Sequence, residues 1–549
     1  MRLRYAPVLA GALAAALAPA PALEAQGVLQ SDRSTSGMVS AAHPLATEAG
    51  VRVLEMGGNA ADAATAAAFA IAVVEPTMNS IGGRNQILVR TPDGRFHGID
   101  GTTQAPGDYD PDTAPQASYG YAVIGIPGAV AGLLRLHGEH GSLPLEAVMA
   151  PAIDYAEHGF RVLPGDAARQ AAGAEEALEF PGTAAAYYRV DGSPHRAGDL
   201  LIQRDYARTL RQIAAGGADA FYRGPIARQI AADMRAHGGA VTRDALADYA
   251  AEDSRVVRGS YRGYELVGMD VPSAGVLAIQ ALQVLENFDA RSTSEPEWFA
   301  IAAQALAAAS RELRGLGTDS AAARATSKEW AARVAREIRT RTQTPAEAAA
   351  TFEPVEEWQA AEGHTTHLSV ADAQGMVVSL TQTLGPSMGS KVVTPGLGFL
   401  YASTLGGYLG RMEAGERARS NICPFMVLRD GEVVLVLGAA GGGMIPPAVV
   451  HAVTRVVDFG MSLPEALEAP RVAGGARGSF NAETSPDVGW TPDEVNAMRA
   501  LGLEVNEVER AGAFGRVHGI QFDPLTRTWI GAADPDWEGS ARGPAAPRR

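Results

Sequence analysis

A layered α/β architecture is what this 549-residue chain predicts. Ala-rich segments with helical spacing dominate its first portion, short period-2 segments crowd the last, and a polar stretch at 342–363 separates the two. Helices before that stretch and strands after it are expected to meet in sheets shared by both portions.

The first residues read as an export signal. Arg2 and Arg4 supply a positive start, residues 6–18 are apolar, and Ala20-Pro21-Ala22 or Leu23-Glu24-Ala25 offers a small-residue cleavage site. The apolar run falls short of the about 20 residues that span a bilayer. The expectation is a removed signal over 1–25, a periplasmic or secreted product, and no membrane insertion afterwards. Met38-Val39-Ser40 then reads as extended, and 44–56 and 60–74 as helices, with Gly57-Gly58-Asn59 supplying a turn and an N-cap. Residues 87–89 and 96–99, joined by Thr91-Pro92-Asp93-Gly94, form an expected hairpin. Helices such as 226–237 and 298–313 follow, with a strand pair around 261–267. Beyond Thr365 the expected strands are 368–370, 376–383, 392–394, 425–428 and 433–437. A helix at 447–459, extended segments at 519–522 and 529–532, and a loose tail at 543–549 complete the pattern.

Composition narrows the function. Hydrophobic residues make up 46% and charged residues 20%, an ordinary globular balance. A net charge of -16 opposes nucleic acid and anionic membranes as main partners, because both are polyanions; a small-molecule or peptide substrate fits better. Cys423 is the only cysteine, so no internal disulfide can form, and it reads as buried packing.

The stretch Glu362-Gly363-His364-Thr365-Thr366-His367 carries the sharpest chemical signal. A threonine hydroxyl is a weak nucleophile unless a base adjoins it, and a free α-amine on the same residue is such a base. Cleavage before Thr365 creates one. If Val370 pairs with Met376 across the following turn, Thr365 stands opposite Thr381. Thr365, His367 and Ser369 then share a face with Ser379, Thr381 and Thr383, while Leu368, Val370, Val378 and Leu380 face a core. Periodicity alone favours a solvated, threonine-rich strand face. Residues 433–437 lead into Gly438-Ala439-Ala440-Gly441-Gly442-Gly443 and a helix, and glycine N–H groups at such a turn can hold an oxyanion. Alone, that run is an ordinary tight turn.

Six motifs in one order resemble the γ-glutamyltranspeptidase family. They are Gly37-Met38-Val39-Ser40-Ala41-Ala42-His43-Pro44-Leu45-Ala46, Gly57-Gly58-Asn59-Ala60-Ala61-Asp62-Ala63, Gly125-Ile126-Pro127-Gly128-Ala129-Val130-Ala131-Gly132, Tyr261-Arg262-Gly263-Tyr264, Thr365-Thr366-His367 and Gly441-Gly442. The resemblance implies the N-terminal-nucleophile hydrolase fold, a four-layer αββα sandwich, made as a precursor that cuts itself. The cut falls between His364 and Thr365, giving a large subunit of 26–364 and a small subunit of 365–549. By resemblance Thr365 is the nucleophile, Thr383 its hydroxyl partner, and Gly441 and Gly442 the oxyanion hole. The implied activity is amide hydrolysis or acyl transfer through a threonyl ester, with no metal or organic cofactor. His364 and His367 offer a metal pair without a further ligand cluster.

The chain departs from the family in the pocket. Thr102 stands where members carry an arginine for the substrate α-carboxylate. Gly406-Gly407 replaces the acidic pair that holds the α-amine, and Gly385 replaces an asparagine. Thr381, Ser420 and Asn421 are the remaining candidates for substrate contact. Arg84, in Gly82-Gly83-Arg84-Asn85-Gln86, is expected either to enter the pocket and pair with an acyl carboxylate or to sit on a surface turn. Segment 408–420 is short for the family's substrate-covering lid. Three readings follow: a γ-glutamyl hydrolase or transferase, a glutaryl- or cephalosporin-acylase-like amidohydrolase, and a processed but silent binding protein.

Overall fold

The computed structural model describes residues 30–314, 327–343, 364–474, 479–486, 488–509, 514–536 and 538–545. The expected signal, and all of the expected linker but its first two residues, lie outside them.

Strand β1 (Ser31–Ser34) and β2 (Gly37–Ala41) lead into α1 (Pro44–Glu55), whose first turn is fixed by Pro44 and by Leu45 N–H donating to His43 Nδ1. Asn59 and Asp62 form a capping box for α2 (Ala60–Val74). All 15 residues of α2 are buried, because its alanines let strands and helices close in from every side. Next come the hairpin of β3 (Arg84–Arg90) and β4 (Phe96–Gly101), then α3 (Ala129–His140), α4 (Leu145–His158), α5 (Arg204–Tyr222) and α6 (Pro225–His237). Strands β5 (Glu252–Asp253), β6 (Val256–Tyr261) and β7 (Tyr264–Met269) precede α7 (Gly275–Leu285), α8 (Glu295–Arg314) and α9 (Lys328–Gln343). After the gap run β8 (His364–Asp372), β9 (Val377–Gly385), β10 (Phe425–Arg429), β11 (Glu432–Ala440), α10 (Ile445–Val457), β12 (Arg516–Asp523), β13 (Thr528–Ala533) and β14 (Ser540–Arg542).

Two seven-stranded sheets result, ordered β1-β13-β12-β11-β10-β7-β6 (sheet I) and β14-β2-β8-β9-β3-β4-β5 (sheet II). Three apolar cores define four layers. Helices α1 to α6 pack on the outer face of sheet II, where Leu368, Val370, Val378 and Leu380 point. Met38, Leu88, Ala371 and Val377 of sheet II meet Met269, Met426, Val436 and Ile520 of sheet I between the sheets. Helices α7 to α10 cover sheet I, with Cys423 buried among them. The architecture is the αββα sandwich, and each sheet draws strands from both sides of residue 364.

Four expectations change. Val370 pairs with Val378 and Thr365 with Thr383, two residues beyond the expected register. The Asp372 carboxylate accepts from Gln374 N–H and Met376 N–H, Asp372 N–H bonds Met376 O, and Gly375 takes φ 90°, so the hairpin closes on a three-residue loop. An even shift keeps every side chain on its expected face. That face is not solvated: Thr365, His367, Ser369, Ser379, Thr381 and Thr383 are all buried, turned toward sheet I. Residues 392–394 form only a bridge from Val393 to Leu400. The described start of the tail is tied down, Gly543 N–H to Asp32 and Ala545 N–H to Glu55.

Candidate active site

Thr365 lies one residue into β8, and the ladder to β9 breaks beside it. His364 pairs with Gly385 while Thr365 pairs with Thr383, leaving Leu384 as the extra residue of a bulge. The Thr383 hydroxyl turns into that irregularity. It accepts from Thr365 Oγ1 at 3.0 Å and from Gly385 N–H at 2.9 Å, and donates to His364 O at 2.6 Å. A hydroxyl has one proton and two lone pairs, so all are used and the directions are fixed. One side chain thus takes the proton of Thr365 and polarises the carbonyl immediately before it.

The hydroxyl face continues along the hairpin. Ser369 Oγ donates to His518 O at 3.1 Å, so it accepts from His367 Nε2–H, also at 3.1 Å. His367 Nδ1 is then the lone pair that accepts from Thr381 Oγ1 at 2.7 Å. Burial, with His518 nearby, holds His367 well below the usual imidazole range and therefore neutral. Its ring lies on Gly438 of β11, where a Cβ would come within 2.4 Å of His367 Cε1. Ser379 Oγ donates to Leu437 O at 3.0 Å. From the Ser369–Ser379 pair to His367, the facing residue of β11 advances from Leu437 to Gly438. Gly441 and Gly442 lie three and four residues further along the chain in the direction that runs from Ser369 toward His367. Gly441 has φ 126° and Gly442 φ 58°, left-handed positions that suit glycine, and they open the path into α10.

A second brace stands behind the turn and was missed from sequence. Arg471 pairs with Glu483, Asp534 and Asp536 and donates to Gly515 O, while Asp534 accepts from Val517 N–H. A Cβ on Gly441 would lie 3.1 Å from Gly515 Cα, so this buried network supports the segment against which the glycine turn rests. Asp534 sits in Gly531-Ala532-Ala533-Asp534-Pro535, but nothing in the sequence marks Arg471 as its partner.

The expected substrate contacts divide. Thr102 Oγ1 donates to Asp100 at 2.6 Å and Thr381 to His367, so both hydroxyl protons are committed within the protein. Ser420 N–H donates to Pro272 O and its Oγ accepts from Ile422 N–H, which ties the 420–421 segment to the chain before α7; Asn421 is half-buried on it. Arg84 is buried, which overturns the surface-turn alternative, and faces Thr383 across β3 and β9. Burial lowers its pKa, and Tyr408 is the ionisable neighbour acting against that. Among the described residues, no group of three or more His, Cys, Asp or Glu is placed to hold a metal.

A buried threonine at the head of a central strand, hydrogen-bonded to a hydroxyl partner in an αββα sandwich, is the arrangement of an N-terminal-nucleophile hydrolase. Comparisons with known proteins agree. The γ-glutamyltranspeptidase sequence profile matches residues 46–543. Acylase ACY 1 proenzyme of Pseudomonas sp. (strain SE83) is 36% identical, over 79% of this chain and 82% of its own. Glutathione hydrolase proenzyme of Escherichia coli (strain K12) is 30% identical over 97% of both chains. Cephalosporin acylase from Bacillus halodurans superposes with a TM-score of 0.83 at 27% identity, over 94% of this chain and 97% of its own. The chain belongs to the γ-glutamyltranspeptidase family, and as such is a self-processing amide hydrolase or acyl transferase.

Proposed function

We infer that the chain cuts itself between His364 and Thr365 and then uses Thr365 to cleave small amides. In the precursor Thr365 Oγ attacks the His364 carbonyl carbon while its proton passes to Thr383, whose own proton moves to the carbonyl oxygen. As the C–N bond breaks, the proton on the former carbonyl oxygen passes to the Thr365 nitrogen and the carbonyl reforms, leaving His364 esterified to Thr365 Oγ; water then hydrolyses the ester to a His364 carboxylate and the free Thr365 hydroxyl. Residues 26–364 and 365–549 become the two subunits. The freed α-amine, with an ordinary pKa of about 7.7 to 8.0, takes the Oγ proton when the substrate carbonyl is attacked and returns it to the leaving amine. Gly441 and Gly442 N–H groups hold the oxyanion, and water or an acceptor amine releases the acyl group.

The observation that carries this reading is the Thr383 hydroxyl, hydrogen-bonded at once to Thr365 and to the carbonyl of the bond to be cut. A processed but silent binding protein shares the need for that arrangement; what favours an enzyme is that Thr365, Thr383 and the Gly441-Gly442 pair are all kept together. The export pattern of residues 1–25 supports a periplasmic or secreted enzyme, and no helix among the described residues is long and apolar enough to cross a membrane. Trapping with an electrophilic acyl amide analogue tests the nucleophile: a mass adduct is expected on Thr365, and an adduct confined to another residue rejects it.

A further inference from the structure

Thr365 as nucleophile leaves the acyl group unnamed, and the strand beside it carries unused chemistry. Cross-strand partners share a face, so Thr365, Thr383 and Arg84 stand in one row on the inner side of sheet II, and His367, Thr381 and Gln86 form the next. Arg84 is 2% exposed; its Nη1 donates to Ser403 O at 3.1 Å and its Nε has no partner. Gln86 is 0% exposed, and neither end of its amide is hydrogen-bonded. Buried donors left unmet are costly, and two neighbouring side chains with unmet groups one strand from Thr383 point to a ligand that meets them.

The charge balance restricts that ligand. No carboxylate among the described residues forms an ion pair with Arg84. At the two positions where the family holds an α-amine there is no carboxylate: a Cβ on Gly406 would lie 2.5 Å from Ala117 O, and Gly407 takes φ 100°, a conformation that side chains rarely adopt. A Cβ on Gly385 would lie 2.8 Å from Tyr408 Cε1 and 3.4 Å from Arg84 Nη2, so the family's asparagine and Arg84 compete for one space. An acyl carboxylate therefore finds a cation, while an α-ammonium finds no counter-charge. Thr365 and Arg84 are two strand spacings apart, about 10 Å between backbones, with Thr383 between them on the same face.

We propose that Arg84 and Gln86 form an acyl subsite for monoamides of short dicarboxylic acids, with the free carboxylate on Arg84, Gln86 Nε2 as a second donor, and no α-amine. The proposal rests on Thr365 as nucleophile. Succinyl, glutaryl, γ-glutamyl and butyryl anilides, assayed on enzyme whose processing is confirmed by mass, test it. One of the two ω-carboxyacyl anilides is expected to exceed both γ-glutamyl and butyryl substrates at least about tenfold in kcat/KM. Arg84→Gln is expected to remove most of that preference, and Gln86→Leu part of it. Free glutarate and succinate are expected to inhibit the wild type competitively and more tightly than L-glutamate, a readout that needs no variant. A processed wild type that favours the γ-glutamyl anilide, a processed Arg84→Gln with unchanged preference, or equal inhibition by L-glutamate overturns the subsite and leaves Thr365 standing. A wild type that stays uncut overturns the nucleophile and the subsite together.

Discussion

Thr383 uses one proton and two lone pairs on three neighbours, and each bond has a separate consequence. Thr383→Val keeps shape and loses all three. Processing is expected to slow by roughly 100-fold, as for removal of one preorganised donor to a developing oxyanion. Time-resolved denaturing electrophoresis after refolding measures it, and a wild-type rate excludes the relay. At this scale much was legible: Thr365 stood out by its hydroxyl neighbours, and the family match supplied Thr383. Gln86 was not legible. Its importance comes from β3 pairing with β9, a long-range register that no local pattern in Arg84-Asn85-Gln86 encodes.

The β8–β9 hairpin and its seat on β11 form the next level. Period-2 alternation assigned the correct faces, because a two-residue register error does not exchange them. It could not tell a solvated hydroxyl face from one buried against a second sheet, since both read as Thr-x-His-x-Ser; the difference lies in carbonyls offered by Leu437 and His518. Gly438 tests that seat. Its missing Cβ lets the His367 ring lie on β11, so Gly438→Ala is expected to push the two strands apart and cost about 1–3 kcal/mol. Urea unfolding should show the loss, with slower processing beside it. Unchanged values in both contradict the seat.

Across the whole molecule, the proposed cut after His364 would separate no layer. Sheet II places β8, β9 and β14, which follow that bond, among β2 to β5, which precede it, and sheet I sets β10 to β13 between β1 and β7. The two subunits are therefore expected to co-elute without denaturant after cutting; separation in buffer alone contradicts shared sheets. Acid acts on the whole fold as well. Burial lowers His43 to about 3 and His518 to about 4, with Arg169 adding to the first and Arg516 to the second, and holds His367 and His451 well below the imidazole range. The unfolded chain binds protons at these four groups near pH 6.5 while the folded chain does not, so their stabilisation is complete above that value and falls as pH drops below it. Buried Asp100, Asp166, Asp372 and Asp458, held above the usual carboxylate range by burial, act in the opposite direction, so the histidine contribution is read by comparing a variant with wild type. His367→Asn is expected to lower the slope of unfolding free energy against pH by up to about 1.4 kcal/mol per unit on the acid side. An unchanged slope means His367 is protonated in the fold. The sequence indicated layers and shared sheets through its helical first portion and stranded last portion, but strand order depends on non-local pairing that composition does not carry.

On the proposed mechanism Thr365 becomes an N-terminus by its own hydroxyl, and intact-mass measurement on the purified protein tests this most directly. Wild type is expected as two chains, the smaller one matching residues 365–549, and Thr365→Ala as a single uncut chain. A wild type that remains one chain, or a Thr365→Ala protein cut at the same bond, contradicts it.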